Sequence, residues 1–135
     1  RVPRYMACTD TTDTWNYTTA TWRQANGAAG NKVEFVVGVA EDEVTARSFS
    51  LPSNASNIAA YGGIGLDATN ANSAQLYGGN TAAIPLQCWS QYDGIIGVGY
   101  HYLAWLEIST ATGTTTWYGD AGATVKCGLN ARILA

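Results

Sequence analysis

Charge is scarce in this chain. Of its 135 residues only 13% are charged, against about 25% in an ordinary soluble domain. Only 2 Lys and 4 Glu occur. These long side chains dominate the surfaces of helices, so a helix bundle or a coiled coil is excluded. No run of basic residues exists and the net charge is −3. Binding to nucleic acid or to anionic lipid through a basic surface is excluded with it. No apolar stretch reaches the roughly 18–20 residues of a membrane helix, so no membrane insertion is expected. The opening residues, RVPRYMACTD, hold no apolar leader and no initiator Met. The chain therefore reads as a processed or excised piece without a signal peptide. Cysteine is sparse too: Cys8, Cys88 and Cys127 lie far apart, with no CxxC spacing. An odd number argues against a disulfide framework and the spacing against zinc. They read as buried thiols, with a single Cys8–Cys88 or Cys8–Cys127 bridge as the alternative. No metal site and no cofactor is expected.

What is abundant is the vocabulary of strands and turns: 16 Thr, 15 Gly, 8 Tyr and 5 Trp. The first strand opens at Arg4, Tyr5 and Met6. KVEFVVGVA (32–40) alternates strictly, with Val33, Phe35, Val37 and Val39 on one side. A second strand over 44–51 puts Arg47, Phe49 and Leu51 on a shared face, and the acidic residues Glu41-Asp42-Glu43 between the two predict a solvated hairpin tip. Two short strands at about 58–66 and 74–77 flank an Asn-rich loop. Residues 86–92 alternate, and Asp93-Gly94 predicts a turn. VGYHYLAWLEIS (98–109) is the longest candidate. A turn at 110–113 leads into 114–120, and the last strand falls within 123–134. Short strands with a turn every 8–15 residues predict an all-β protein, a single jelly-roll-like β-sandwich domain over 1–135.

Chemistry has few candidates. His101 is the only histidine, and neither GxSxG nor HExxH occurs; it reads as a hydrogen-bonding residue at the end of a buried face or at a subunit contact. Asp93, Glu107 and Asp120 lie among Trp89, Trp105 and Trp117, and a glycosidase needs two carboxyls across a sugar. Asp93 and Asp120 each adjoin a glycine, which suits turns better. The chain is therefore read as having no catalytic residues. Two segments match glycosylation sequons, Asn16-Tyr-Thr18 and Asn54-Ala-Ser56. The aromatics carry more information. Trp15, Tyr17 and Tyr77 sit in polar loops (9–17 and 67–77) and are the candidates for stacking on a sugar ring. In 98–109 one side presents Tyr100, Tyr102, Ala104, Leu106 and Ile108, and the other His101, Leu103 and Trp105. A strand apolar on both sides is either central in the core or part of a subunit interface; the second side is the candidate interface.

GYHYLAWLEISTATGTTTWYGDAGA…GLNARILA, over 99–135, resembles the C-terminal segment of structural proteins of tailed bacteriophages, of tail-fibre or head-fibre type. The resemblance lies in Gly99-Tyr100-His101 running into Trp105-Leu106-Glu107, the hairpin Gly113-Thr114-Thr115-Thr116, Trp117-Tyr118-Gly119, and a closing strand from Gly128-Leu129. Gly65-Leu66-Asp67 matches more weakly upstream. It implies a β-sandwich module on the virion exterior, assembled as a homotrimer. Its implied partners are other virion proteins and, for an adhesin, carbohydrate of the host surface. The expectation is a non-enzymatic fibre or adhesin module. The alternatives are a capsid-decorating or head-fibre module that binds only virion proteins, and a glycan-cleaving enzyme using Asp93, Glu107 or Asp120.

Overall fold

The structure is a computed structural model that describes residues 2–73 and 75–134. It is all-β, with 52% of residues in strands. Among the described residues the strands are β1 (Pro3–Thr9), β2 (Thr14–Asn16), β3 (Arg23–Gln24), β4 (Lys32–Val37), β5 (Glu43–Ser50), β6 (Pro52–Asn54), β7 (Ala60–Leu66), β8 (Leu76–Tyr77), β9 (Gly79–Asn80), β10 (Cys88–Ile95), β11 (Gly99–Ile108), β12 (Thr115–Tyr118) and β13 (Gly128–Leu134). The first sheet has the order β1-β13-β5-β10-β8. The second runs β3-β11-β7-β9, with β4 also paired to β11, and a small third sheet is β2-β12-β6. Every pairing is antiparallel. The arrangement is β-sandwich-like.

Alternation explains the packing. Val33, Phe35 and Val37 of β4 meet Val44 and Ala46 of β5, Leu129, Ala131 and Ile133 of β13, and Leu103 and Trp105 of β11 in one core. The Trp105 indole N–H crosses that core to donate to Ser50 Oγ at 2.9 Å. The hairpin expected between 32–40 and 44–51 does not form. β4 pairs with β11, and β5 with β10 and β13. Two strands that each bury one face can meet across the core as well as side by side, and residues 38–42 carry the chain from one sheet to the other. Asp42 is buried rather than solvated, and Val39 is exposed. Nor do Asp93-Gly94 turn. β10 runs through them, opposite Thr45 and Val44.

β11 is the central strand. Its odd side, from Leu103 to Glu107, faces the core. Its even side is closed around Ala104 and Leu106 by the chain itself: the loop after β7 folds back, with Ser73 N–H donating to Ile64 O at 2.8 Å and Ile64 N–H to Asn72 Oδ1 at 3.2 Å. Gly65 permits this fold, since a Cβ there would stand 2.2 Å from the Ala68 carbonyl and 3.0 Å from Leu106. Trp22 lies over Gly63 in the same way. Leu103 (0% exposed) and Trp105 (1%) are thus core residues, which corrects their assignment to an interface. The first sheet, not a partner subunit, covers their side of the strand.

Candidate functional site

Cys8, Cys88 and Cys127 are free and buried, and burial pushes the Cys8 thiol up to about 11 and those of Cys88 and Cys127 to about 12. Among the described residues, no group of three or more His, Cys, Asp or Glu is placed to hold a metal, and no helix is long and apolar enough to cross a membrane.

The three carboxyls weighed for catalysis are not brought together. Glu107 is 0% exposed. Its oxygens accept from the Trp15 indole at 2.9 and 3.2 Å, Arg23 Nε at 2.9 Å, Arg23 Nη2 at 2.9 Å and Asn26 N–H at 3.1 Å. Burial pushes its carboxyl above the ordinary range, against the pull of Trp15, Arg23 and Asn26. Those bonds tie β2, β3 and the turn after β3 to β11 and occupy both carboxyl oxygens. Asp120 precedes a single 3-10 turn, its carbonyl accepting from Ala123 N–H at 2.8 Å. Asp93 stands on the opposite, outer face of the first sheet.

The stacking candidates fare unevenly. Trp15 is buried (9% exposed) and packs edge-on against Trp105, with centroids 6.1 Å apart. It is a core residue, because its indole N–H serves Glu107. Tyr17 lies under Arg23, whose guanidinium stands 3.8 Å from the ring centroid, and its hydroxyl donates to Thr21 O at 2.5 Å. Tyr77 is 54% exposed but edge-packed on Trp22 and Tyr61. They form no common platform. His101 sits at the end of the core face, Nδ1 2.7 Å from Asp67 Oδ2 and Nε2 3.2 Å from Gly97 O. Of the sequons, Asn54 is buried, binding Thr112 O and Thr115 Oγ1; Asn16 is exposed.

The open surface with the most chemistry is the outer face of the first sheet. Alternation in β5, β10 and β13 sends Ser48, Ser50, Cys88, Ser90, Leu129 and Ala131 inward, and Arg47, Phe49, Trp89, Gln91, Asn130 and Arg132 outward. Register then assembles rows across the sheet. One is Gly128–Phe49–Trp89, the next Asn130–Arg47–Gln91, the next Arg132–Thr45–Asp93. Trp89 is 56% exposed, and its ring packs on Phe49 with centroids 4.9 Å apart. Gln91 Nε2 donates to Asp93 Oδ2, and Gln75 Nε2 to the Asp93 carbonyl. Arg47, Phe49, Trp89, Gln91, Asp93 and Arg132 line an open groove of about 1040 Å³. An exposed indole amid amides, carboxyl and guanidinium offers a flat apolar surface ringed by hydrogen-bonding groups, suited to an amphipathic ring such as a pyranose. Each of these residues is visible in the sequence as part of an alternating strand, but their union depends on long-range pairing. No family model matches the chain, and no curated protein matches it significantly.

Proposed function

We propose that this chain is a structural module on the exterior of a tailed-bacteriophage virion, without enzymatic activity, that adheres to host-surface glycans through the outer face of its first sheet. The virion part rests on the resemblance of residues 99–135 to tail-fibre and head-fibre proteins. The adhesion part is carried by one observation. Trp89 is exposed on a strand face it shares with the polar Gln91 and Asp93, and the ring of Phe49 on the neighbouring strand packs against it, so a stacking surface is presented at no cost in core packing. A glycan array probed with the wild type and with Trp89→Ala tests it. The expected loss is about 1–2 kcal/mol of binding, some 5- to 30-fold. Silence of the wild type on the array, with density for the domain on the capsid shell, would favour decoration of the particle instead. Release of reducing ends from a bound polysaccharide would favour an enzyme.

Assembly as a homotrimer remains part of this proposal, with its surface moved. Val36 and Tyr100 face each other in register on the outer side of the β4–β11 pair and are both exposed, as are Val39 and Val98 nearby in the chain. Exposed apolar side chains grouped in this way suit a partner surface. Three copies of the 14.3 kDa chain have a mass of about 43 kDa, and light scattering distinguishes this from a monomer. A monomer at micromolar concentration would overturn the trimer without touching the glycan reading.

A further inference from the structure

We infer that the glycan bound on the first sheet is an acidic one, whose sugar carboxylate meets Arg47 while its ring stacks on Trp89. This rests on the glycan reading above and names the ligand's chemical class. The chain as a whole is acidic, at −3, yet among the described residues three cations without a bonded partner line this face. Of the basic residues described, Arg23 is engaged by Glu107 and Lys32 by Glu34. Arg47, Lys126 and Arg132 make no hydrogen bond or ion pair with a described residue, and all three line the groove; Arg4 borders a different one.

Position matters more than number, since Glu43 and Asp93 line the groove as well. The register orders them by distance from the stacking surface. Arg47 lies in the row next to Trp89 and Phe49, diagonal to Trp89 through Gln91. Diagonal side chains start roughly 7–8 Å apart, within the reach of an arginine. The two in fact line one small cleft, together with Leu76 and Gln91. On the other side of the aromatic row, Lys126 is two residues from Gly128, the register partner of Phe49. The acids come later. Asp93 is one row beyond Arg47, opposite Thr45, with an oxygen already taken by Gln91, and Glu43 is a further row out. A sugar stacked on Trp89 therefore meets cations first on both sides. Arginine's planar fork matches a carboxylate in two parallel hydrogen bonds, which sets it apart from a general attraction to anions.

The test is calorimetric titration of the purified protein with oligogalacturonate, oligoglucuronate and oligosialate, each beside its methyl-esterified, uncharged counterpart, at low and high salt. At least one acid form is expected to bind about tenfold more tightly than its ester, with the preference shrinking as salt rises. Arg47→Gln is expected to abolish that preference by weakening the acid form far more than the ester, whereas Trp89→Ala weakens both forms alike. Arg47 is exposed, so a melting curve suffices to show that the variant folds. Equal binding of acid and ester, or a preference that survives Arg47→Gln, would overturn the inference while leaving a glycan-binding face in place. Binding of neither form, with a neutral glycan captured on an array, would also overturn it. Binding of no glycan at all would take down the glycan reading itself.

Discussion

Trp89 and Trp105 are the same residue on strands of the same kind, and the fold puts them to opposite uses. Trp105 is 1% exposed, its indole N–H held by Ser50, with the first sheet on one side of its strand and the loop after β7 on the other. Trp89 is 56% exposed on the outer face of β10, beside Gln91 and Asp93. Glu107 and Asp93 repeat the contrast among carboxyls. One is sealed under Trp15, Arg23 and Asn26; the other stands in an open groove. What separates the members of each pair is not their local sequence but what the rest of the chain lays over them. The second sheet is covered on both sides around Ala104–Leu106 and supplies stability there, and the first sheet is covered on one side only and supplies a surface.

The largest effect should follow from breaking the covered region. Trp105→Asp places a carboxylate where no cation waits, and a buried unpaired charge costs several kcal/mol, enough to unfold a domain stable by about 5–15 kcal/mol. Trp105→Ala should cost about 3–5 kcal/mol, whereas Trp89→Ala should stay within about 0.5 kcal/mol. Denaturant titration of the three variants measures all of these. Equal costs at 89 and 105 would erase the contrast.

A second effect concerns pH. Burial raises the folded-state pKa of Glu107 above the ordinary value of 4.5. Between those two values the folded state holds the proton that the unfolded state has released. Stability is therefore lost as pH rises from 4.5 through the folded value. Glu107→Gln removes that slope, and melting curves from pH 4 upward would show it. Asp10 acts in the opposite sense. Burial opposes its ionisation, but bonds from Asn31, Thr12 and Asn26 prevail and lower its pKa from 3.8, so its contribution is lost as pH falls below that value. A slope unchanged by Glu107→Gln would show that the buried carboxyl is not its source.

The smallest effect is read by chemistry alone. With pKa values of about 11 and 12, the three thiols are protonated near neutral pH and shielded by the core. Native protein should be inert to a thiol reagent at pH 8 and yield three equivalents on unfolding, matching three free cysteines. Fast labelling of the native protein would contradict the burial.

Much of the fold was legible in the sequence, because alternation is a local signal. The β4, β5 and β11 segments follow from it, while the turn at 110–113 follows from its Thr-Ala-Thr-Gly sequence and the buried thiols from the odd number and spacing of the cysteines. Pairing is not local, and there the reading failed. Nothing within 32–51 states that its two strands meet across a core instead of forming a hairpin. Asp93-Gly94 looks like a turn, yet the site of a Gly94 Cβ lies 2.9 Å from the Tyr92 hydroxyl, so the glycine makes room for a ring. The same limit hid the candidate site. Trp15, Tyr17 and Tyr77 stood out because they lie in polar segments, but Trp105 packs on the first, Arg23 on the second, and Trp22 and Tyr61 on the third. Trp89, Phe49 and Arg47 looked like ordinary strand residues until β10, β5 and β13 came together.

The most direct test of a sugar-binding face on the first sheet is a two-dimensional NMR titration of the indole N–H resonances with a glycan captured on the array. The five tryptophans give five such signals. The Trp89 signal should move as glycan is added, along with the Arg47 Nε–H, while those of Trp15, Trp105 and Trp117 stay in place. Movement centred on Trp22 beside Tyr77, with Trp89 unmoved, would contradict the account.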